Sequence, residues 1–231
     1  MTSAPDPGSA EAQAHRLTVP RSARYYTLGG SAEVREVWVV LHGFGQLAGK
    51  FIRDFAPAAA PDRLIVAPEA LSRYYTDHAS RKVGATWMTS EDRLAEIADY
   101  VRYLDLLVDE LHGTLAPRVE RFEIHAFSQG AATGCRWVAF GRHQPDRLVL
   151  WGGGVPPDLD LAAHGERLTR AGLTMVIGDR DEFISEEAVS DQAARLEAGG
   201  VRFAVQRFSG GHLVPWPVLA AMAGPQANRK D

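Results

Sequence analysis

The sequence predicts an α/β protein, a mostly parallel central sheet with helices on both faces. Two observations carry this. Short apolar runs alternate along the chain with stretches of helical period, the pattern of a sheet covered on both sides. The residues able to do chemistry fall just past the C-terminal ends of those runs, where a parallel sheet binds its ligands. With 231 residues and 45% hydrophobic content, the chain can bury one sizeable core.

The elements follow in order. Residues 1–14 are rich in Ala, Ser, Pro and acids and read as a disordered tail, without the basic start and apolar stretch of a secretory signal. Strands are expected at Arg24–Leu28, Val37–Leu41, Leu64–Ala67, Arg121–Ala126, Leu148–Trp151, Leu173–Ile177 and Val201–Phe208. The clearest helix runs from Glu91 to Leu111, where Leu94, Ile97, Val101, Leu104, Val108 and Leu111 trace one stripe. Thr89-Ser90-Glu91-Asp92 supplies its capping-box start. Residues 226–231 form a polar C-terminal tail, and 15–225 a single domain without repeats or linkers.

Composition narrows the function classes. A net charge of −4 and a pI near 6.1 give no reason to expect nucleic acid or an anionic membrane as partner. Cys135 is the only cysteine, which excludes an intrachain disulfide, and its small neighbours suggest a buried filler. No pair of histidines has metal-site spacing, so neither a metal nor an organic cofactor is expected. No segment approaches the ~20 apolar residues that span a bilayer, and the expected location is the cytoplasm. A homodimer stays open.

His125-Ala126-Phe127-Ser128-Gln129-Gly130 is an apolar strand that breaks into a small-residue helix at one hydroxyl. This is the local grammar of a nucleophile elbow, a strained turn that presents serine above a sheet. The bland reading of Ser128 is an ordinary helix N-cap. Val37–Leu41 runs into His42-Gly43-Phe44-Gly45, a turn placed to supply an oxyanion donor. With Ser128 as nucleophile, the donors are the backbone N–H groups of Phe44 and Gln129. Gly178-Asp179-Arg180-Asp181-Glu182 follows the sixth strand and offers three acids, and Gly211-His212 follows the last. Serine needs a base within hydrogen-bond reach, and that base an orienting acid. Of the other histidines, His42 would brace the oxyanion turn and His125 would sit in the core, while His15, His78, His112, His143 and His164 carry no motif.

The set Leu41-His42-Gly43-Phe44-Gly45, Phe127-Ser128-Gln129-Gly130-Ala131, Gly178-Asp179-Arg180-Asp181 and Gly211-His212 resembles the phospholipase/carboxylesterase family of α/β-hydrolases, which includes small carboxylesterases, lysophospholipases and acyl-protein thioesterases. The resemblance spans about Arg24 to Gly224, and the glycines after Trp151 extend it. It implies the α/β-hydrolase fold and a Ser128–His212–Asp181 triad, since the family's acid stands three residues after the glycine. Ala126, where the family has glycine, and the segment around Trp87-Met88 depart from it.

The resemblance implies a hydrolase of carboxylic esters that forms an acyl-enzyme on Ser128. Thioesterase, lysophospholipase and amidase activities share the same residues, and a non-catalytic binding protein is the alternative from another class. The stretch from Trp151 to Leu173 is too short for an inserted cap domain. Glu69–Thr89 reads as a long loop over the site, with Tyr74, Tyr75, Trp87 and Met88 as candidate substrate-lining residues. The alternative is that they pack the loop on the core. A shallow cleft beneath such a loop would take a small-molecule ester of short to medium acyl chain.

Overall fold

Side chains that point alternately to either side of a sheet decide which helices cover which face. A computed structural model describes residues 12–31, 33–115 and 119–224. Its strands are β1 (Tyr25–Gly29), β2 (Glu36–Leu41), β3 (Arg63–Pro68), β4 (Ser72–Asp77), β5 (Lys82–Thr86), β6 (Arg121–Phe127), β7 (Arg147–Trp151), β8 (Thr174–Gly178) and β9 (Ala204–Phe208). The helices are α1 (Ala48–Phe51), α2 (Arg93–Leu115), α3 (Gln129–Phe140), α4 (Leu161–Arg170), α5 (Glu186–Ala198) and α6 (Trp216–Ala223), with a 3-10 turn at Ile52–Ala58 after α1. Seven strands form the main sheet in the order β1-β3-β2-β6-β7-β8-β9. Only β1 runs antiparallel, against β3.

On β2, Val37, Val39 and Leu41 enter one core while Trp38 and Val40 enter another. Leu148 and Leu150 on β7, and Met175 and Ile177 on β8, join the first; Val149, Trp151 and Val176 join the second. A period of two with both faces buried is the packing of a parallel sheet between helix layers. The first face is covered by α2, α3, α4 and α5, the second by α1, the 3-10 turn and α6. No cap is inserted between β7 and β8, and the fold class is the expected one.

Three details differ from expectation. Residues 69–89 are not a loop: β4 and β5 pair as a separate antiparallel hairpin, bulged between Tyr75 and Asp77. Most of β4 is solvent-exposed, so it lacks the apolar signal of a sheet strand. Asp92 sits at a φ of 46° and delays α2 to Arg93; Leu94 in its first turn is 74% exposed and leaves the stripe. The expected capping box is replaced by Glu96, whose carboxylate accepts from the Thr89 backbone N–H at 2.6 Å and the Thr89 hydroxyl at 3.2 Å. The last strand begins at Ala204 rather than Val201.

Cys135 on α3 is fully buried, and burial pushes its thiol pKa up to about 12. Among the described residues no helix is long and apolar enough to cross a membrane. The expected tails lie outside the described residues except for 12–14, which are exposed and irregular.

Asp105 on α2 is buried and fastens α2 to the end of α3. Its carboxylate accepts from the Trp137 indole at 3.0 Å and the Arg142 backbone N–H at 3.1 Å. Asp105→Ala should lower unfolding stability by about 2–4 kcal/mol in urea titration, because the buried Trp137 indole and the part-buried Arg142 N–H lose their partner.

Candidate active site

β6 ends at Phe127 and α3 begins at Gln129, which leaves Ser128 alone to turn the chain. It does so at φ 54° and ψ −117°, a conformation an L-residue holds only under constraint. The Ser128 N–H donates to the Trp151 carbonyl at 2.9 Å, and the side chain makes no capping hydrogen bond. The hydroxyl is therefore not serving as an N-cap. Two residues on, a Cβ at Gly130 would sit 2.5 Å from the Leu41 carbonyl oxygen, so only glycine lets α3 cross the end of β2. Ala126 is accommodated from α3, where Gly134 presents no side chain and even a Cβ there would lie 3.1 Å from the Ala126 methyl.

The turn after β2 is fixed from three sides. The Gly43 N–H donates to the Gln46 side-chain oxygen at 2.7 Å. The Gly45 N–H donates to the Ala85 carbonyl at 2.9 Å, and the Ala85 N–H to the Gln46 carbonyl at 3.1 Å, so β5 of the hairpin is laced to this turn. A Cβ at Gly84 would meet the Gly45 oxygen at 2.4 Å, which confines that contact to glycine. His42 lies beneath, fully buried. Its Nδ1 is 2.8 Å from the Gly43 carbonyl and its Nε2 accepts the Ala70 N–H at 3.1 Å, which makes the ring neutral with the proton on Nδ1. Burial holds its pKa below the ordinary imidazole value against the opposing pull of the Gly43 carbonyl.

Gln129 extends the same lacing. Its Nε2 donates to Thr86 Oγ1 and to the Met88 carbonyl, both at 2.9 Å, and its Oε1 accepts the Trp87 N–H at 3.1 Å. Its backbone N–H opens α3, where the first N–H groups of a helix have no intrahelical acceptor.

Past β8, the two aspartates divide the work. Asp179 Oδ1 accepts the Gly210 N–H at 2.9 Å, and that contact lowers its pKa and pins the segment that carries His212. Asp181 Oδ2 meets His212 Nδ1 at 2.9 Å, from a carboxylate only 1% exposed. Phe127 and Phe183 flank the imidazole, each with ring centroids 4.7 Å away. Glu182 is exposed, and among the described residues the acid that pairs with His212 is Asp181.

Ser128, His212 and Phe44 open into one cavity of about 960 Å³. Its other walls come from Phe51 and Asp54 beside α1, from Glu182 and Phe183, and from the run Phe208–Pro217. None of Tyr74, Tyr75, Trp87 and Met88 lines it, which corrects their assignment as substrate-lining residues. Trp87 is 3% exposed and donates its indole N–H to the His42 carbonyl at 2.8 Å. Met88 packs on the core and gives its carbonyl to Gln129. The Tyr74 ring packs tilted against Phe44 with centroids 5.4 Å apart, burial raising its pKa, and Tyr75 faces solvent beside His78. Tyr74, Trp87 and Met88 brace the turn and the elbow from behind. The walls that sequence reasoning missed carry no motif, although Trp216-Pro217, closely following His212, hinted at an aromatic rim.

The fold is the α/β-hydrolase fold, as comparison with solved structures shows. A carboxylesterase from Mesorhizobium loti is 18% identical with a TM-score of 0.69, over 88% of this chain and 95% of that one. Zea mays acyl-protein thioesterase 2 is 17% identical with a TM-score of 0.63, over 88% of this chain and 100% of that one. The Bacillus cereus carboxylesterase is 14% identical with a TM-score of 0.62, over 87% and 92%. These neighbours fit the phospholipase/carboxylesterase resemblance. No protein-family model matches the sequence, and no curated protein does.

His42 makes the turn sensitive to acid. Folding lowers its pKa, so the unfolded chain takes up the proton first as pH falls. Stability is level above the ordinary imidazole range and drops through it. His125, buried in β6, shares the direction. His42→Phe should cost about 2–3 kcal/mol at neutral pH, since a buried carbonyl and N–H lose their partner. Its urea midpoints should also fall less steeply than wild type between about pH 7 and pH 5.

Proposed function

We propose that this protein is a serine hydrolase of carboxylic esters that works through an acyl-enzyme on Ser128. The observation that carries the reading is the pairing of His212 Nδ1 with the buried Asp181 carboxylate, in the cavity onto which the strained Ser128 opens. Solved esterases and a thioesterase with the same fold support it.

In this reading His212 Nε2 takes the Ser128 proton as Oγ bonds to the ester carbonyl carbon. Asp181 keeps the other ring proton on Nδ1 and stabilises the imidazolium. The backbone N–H groups of Phe44 and Gln129 hold the tetrahedral oxyanion; such a donor is typically worth about 3–4 kcal/mol of barrier. The carbon–oxygen bond to the alcohol then breaks, and the alcohol leaves with the proton from His212. Water, deprotonated by the same ring, attacks the acyl-enzyme, releases the acid and restores the hydroxyl. Neither a metal nor an organic cofactor takes part. Thioesters would follow the same course. A small-molecule substrate of short to medium acyl chain and a cytoplasmic location belong to the same proposal.

A fluorophosphonate probe should label wild-type protein at Ser128 and leave Ser128→Ala unlabelled, with the adduct mapped by peptide mass. On p-nitrophenyl butyrate, Ser128→Ala should lose several orders of magnitude in kcat. Asp181→Asn should lose far more than Asp179→Asn. A folded Ser128→Ala protein that keeps its activity would remove Ser128 from the reaction. Across p-nitrophenyl esters, kcat/KM should peak at short to medium chains.

A further inference from the structure

The cavity that holds Ser128 and His212 has an uneven charge. The chain carries 25 lysines and arginines, yet among the described residues none lines it; the charged side chains there are Asp54 and Glu182. The rest of the wall is largely aromatic, with Phe51, Phe127, Phe183, Phe208 and Trp216.

Asp54 stands out from the other carboxylates of the molecule. It projects from the 3-10 turn Ile52–Ala58, is half-buried, and among the described residues no hydrogen bond or ion pair engages its carboxylate. Burial raises its pKa, and no neighbouring cation offsets the cost. By contrast Glu69, Glu123 and Asp158 each hold arginine partners. An unpaired carboxylate in an aromatic wall is a liability for folding alone, and it is recovered when a cation arrives. Aromatic faces attract the same cation through their quadrupoles.

Which half of an ester lies there follows from the mechanism. His212 must hand its proton to the leaving oxygen, so the alcohol departs on the side of the imidazole. His212, Glu182, Phe183 and the segment from Phe208 to Pro217 all line the cavity, which therefore reaches the imidazole. We propose that the cavity receives the alcohol half of the substrate as a cation, a quaternary or protonated ammonium, with Asp54 as its counter-ion and specificity residue. The inference rests on the Ser128 hydrolase reading and names the substrate class for it. Esters with an anionic or phosphorylated alcohol are disfavoured by the same two carboxylates.

The test compares butyrylcholine with 3,3-dimethylbutyl butyrate, its uncharged carbon isostere, in wild type and Asp54→Asn. Wild type should favour the cationic ester in kcat/KM by roughly tenfold or more, and added salt should shrink the ratio. Asp54→Asn should bring the ratio close to one, and should melt no lower than wild type because it removes an unpaired buried charge. Asp54→Glu should restore part of the preference. Equal rates in wild type, or an unchanged ratio in folded Asp54→Asn, would overturn the inference while leaving the hydrolase standing. If neither ester is cleaved, calorimetric titration of tetramethylammonium into Ser128→Ala and Ser128→Ala/Asp54→Asn decides the matter. Binding weakened about tenfold or more by the second substitution keeps the cation pocket, and p-nitrophenyl butyrate turnover then decides the hydrolase separately. No binding, or binding indifferent to Asp54, overturns the pocket.

Discussion

The first turn of α3 crosses the end of β2 with no space for a side chain between them, and the geometry of the site depends on that crossing. A Cβ at Gly130 would lie 2.5 Å from the Leu41 carbonyl oxygen and 2.8 Å from that of His42. The crossing brings the N–H of Gln129 beside the turn that contains Phe44. The His42 carbonyl also receives the Trp87 indole, while the Gln129 side chain holds the backbone of Trp87 and Met88. Elbow, turn and hairpin thus form one hydrogen-bonded unit, and loosening any part displaces together the two N–H groups proposed as oxyanion donors. This is the preorganisation that electrostatic stabilisation requires, since donors that must reorient contribute less.

The same structure keeps polar groups inside the sheet by pairing them. His125 stacks on Trp38 with centroids 4.1 Å apart, accepts the Trp151 indole on Nδ1 at 3.3 Å and meets Glu123 through Nε2 at 3.0 Å. Glu123, 1% exposed, also pairs with Arg121 and Arg147, and these partners together lower its pKa despite its burial. Arg63 lies over the Trp38 ring at 4.5 Å and bonds Glu36 at 2.6 Å. Buried charge in this protein has partners. Asp54, on the wall of the cavity, departs from that habit, and the departure points to a ligand rather than to the fold.

The five inner strands of the main sheet were legible because each is an apolar run flanked by turn residues, a signature that burial on both faces enforces; the edge strands β1 and β9 are largely exposed and carry a weaker one. The candidate site was legible where backbone geometry restricts residue type: a small-Ser-x-Gly turn, glycines around His42, acid and histidine after successive strands. The hairpin was not, because Ser72–Asp77 takes its strand geometry from pairing with β5 rather than from burial, and most of its side chains face water. Trp87 was misplaced for a related reason. Sequence shows an aromatic after a long connection, but not that its indole N–H finds the buried His42 carbonyl just past β2. Asp54 carries no local sign at all. Its meaning comes from which walls the fold assembles around it, and neither spacing nor period encodes that.

The single thiol has a practical consequence. Cys135 is fully buried in α3 and its pKa is about 12, so at neutral pH almost none of it is the reactive thiolate. The native surface is therefore silent to maleimide and iodoacetamide chemistry without any substitution. A cysteine placed at the tip of the hairpin or beside Trp216 would be uniquely addressable, and dyes or spin labels there could follow hairpin and rim on the wild-type background.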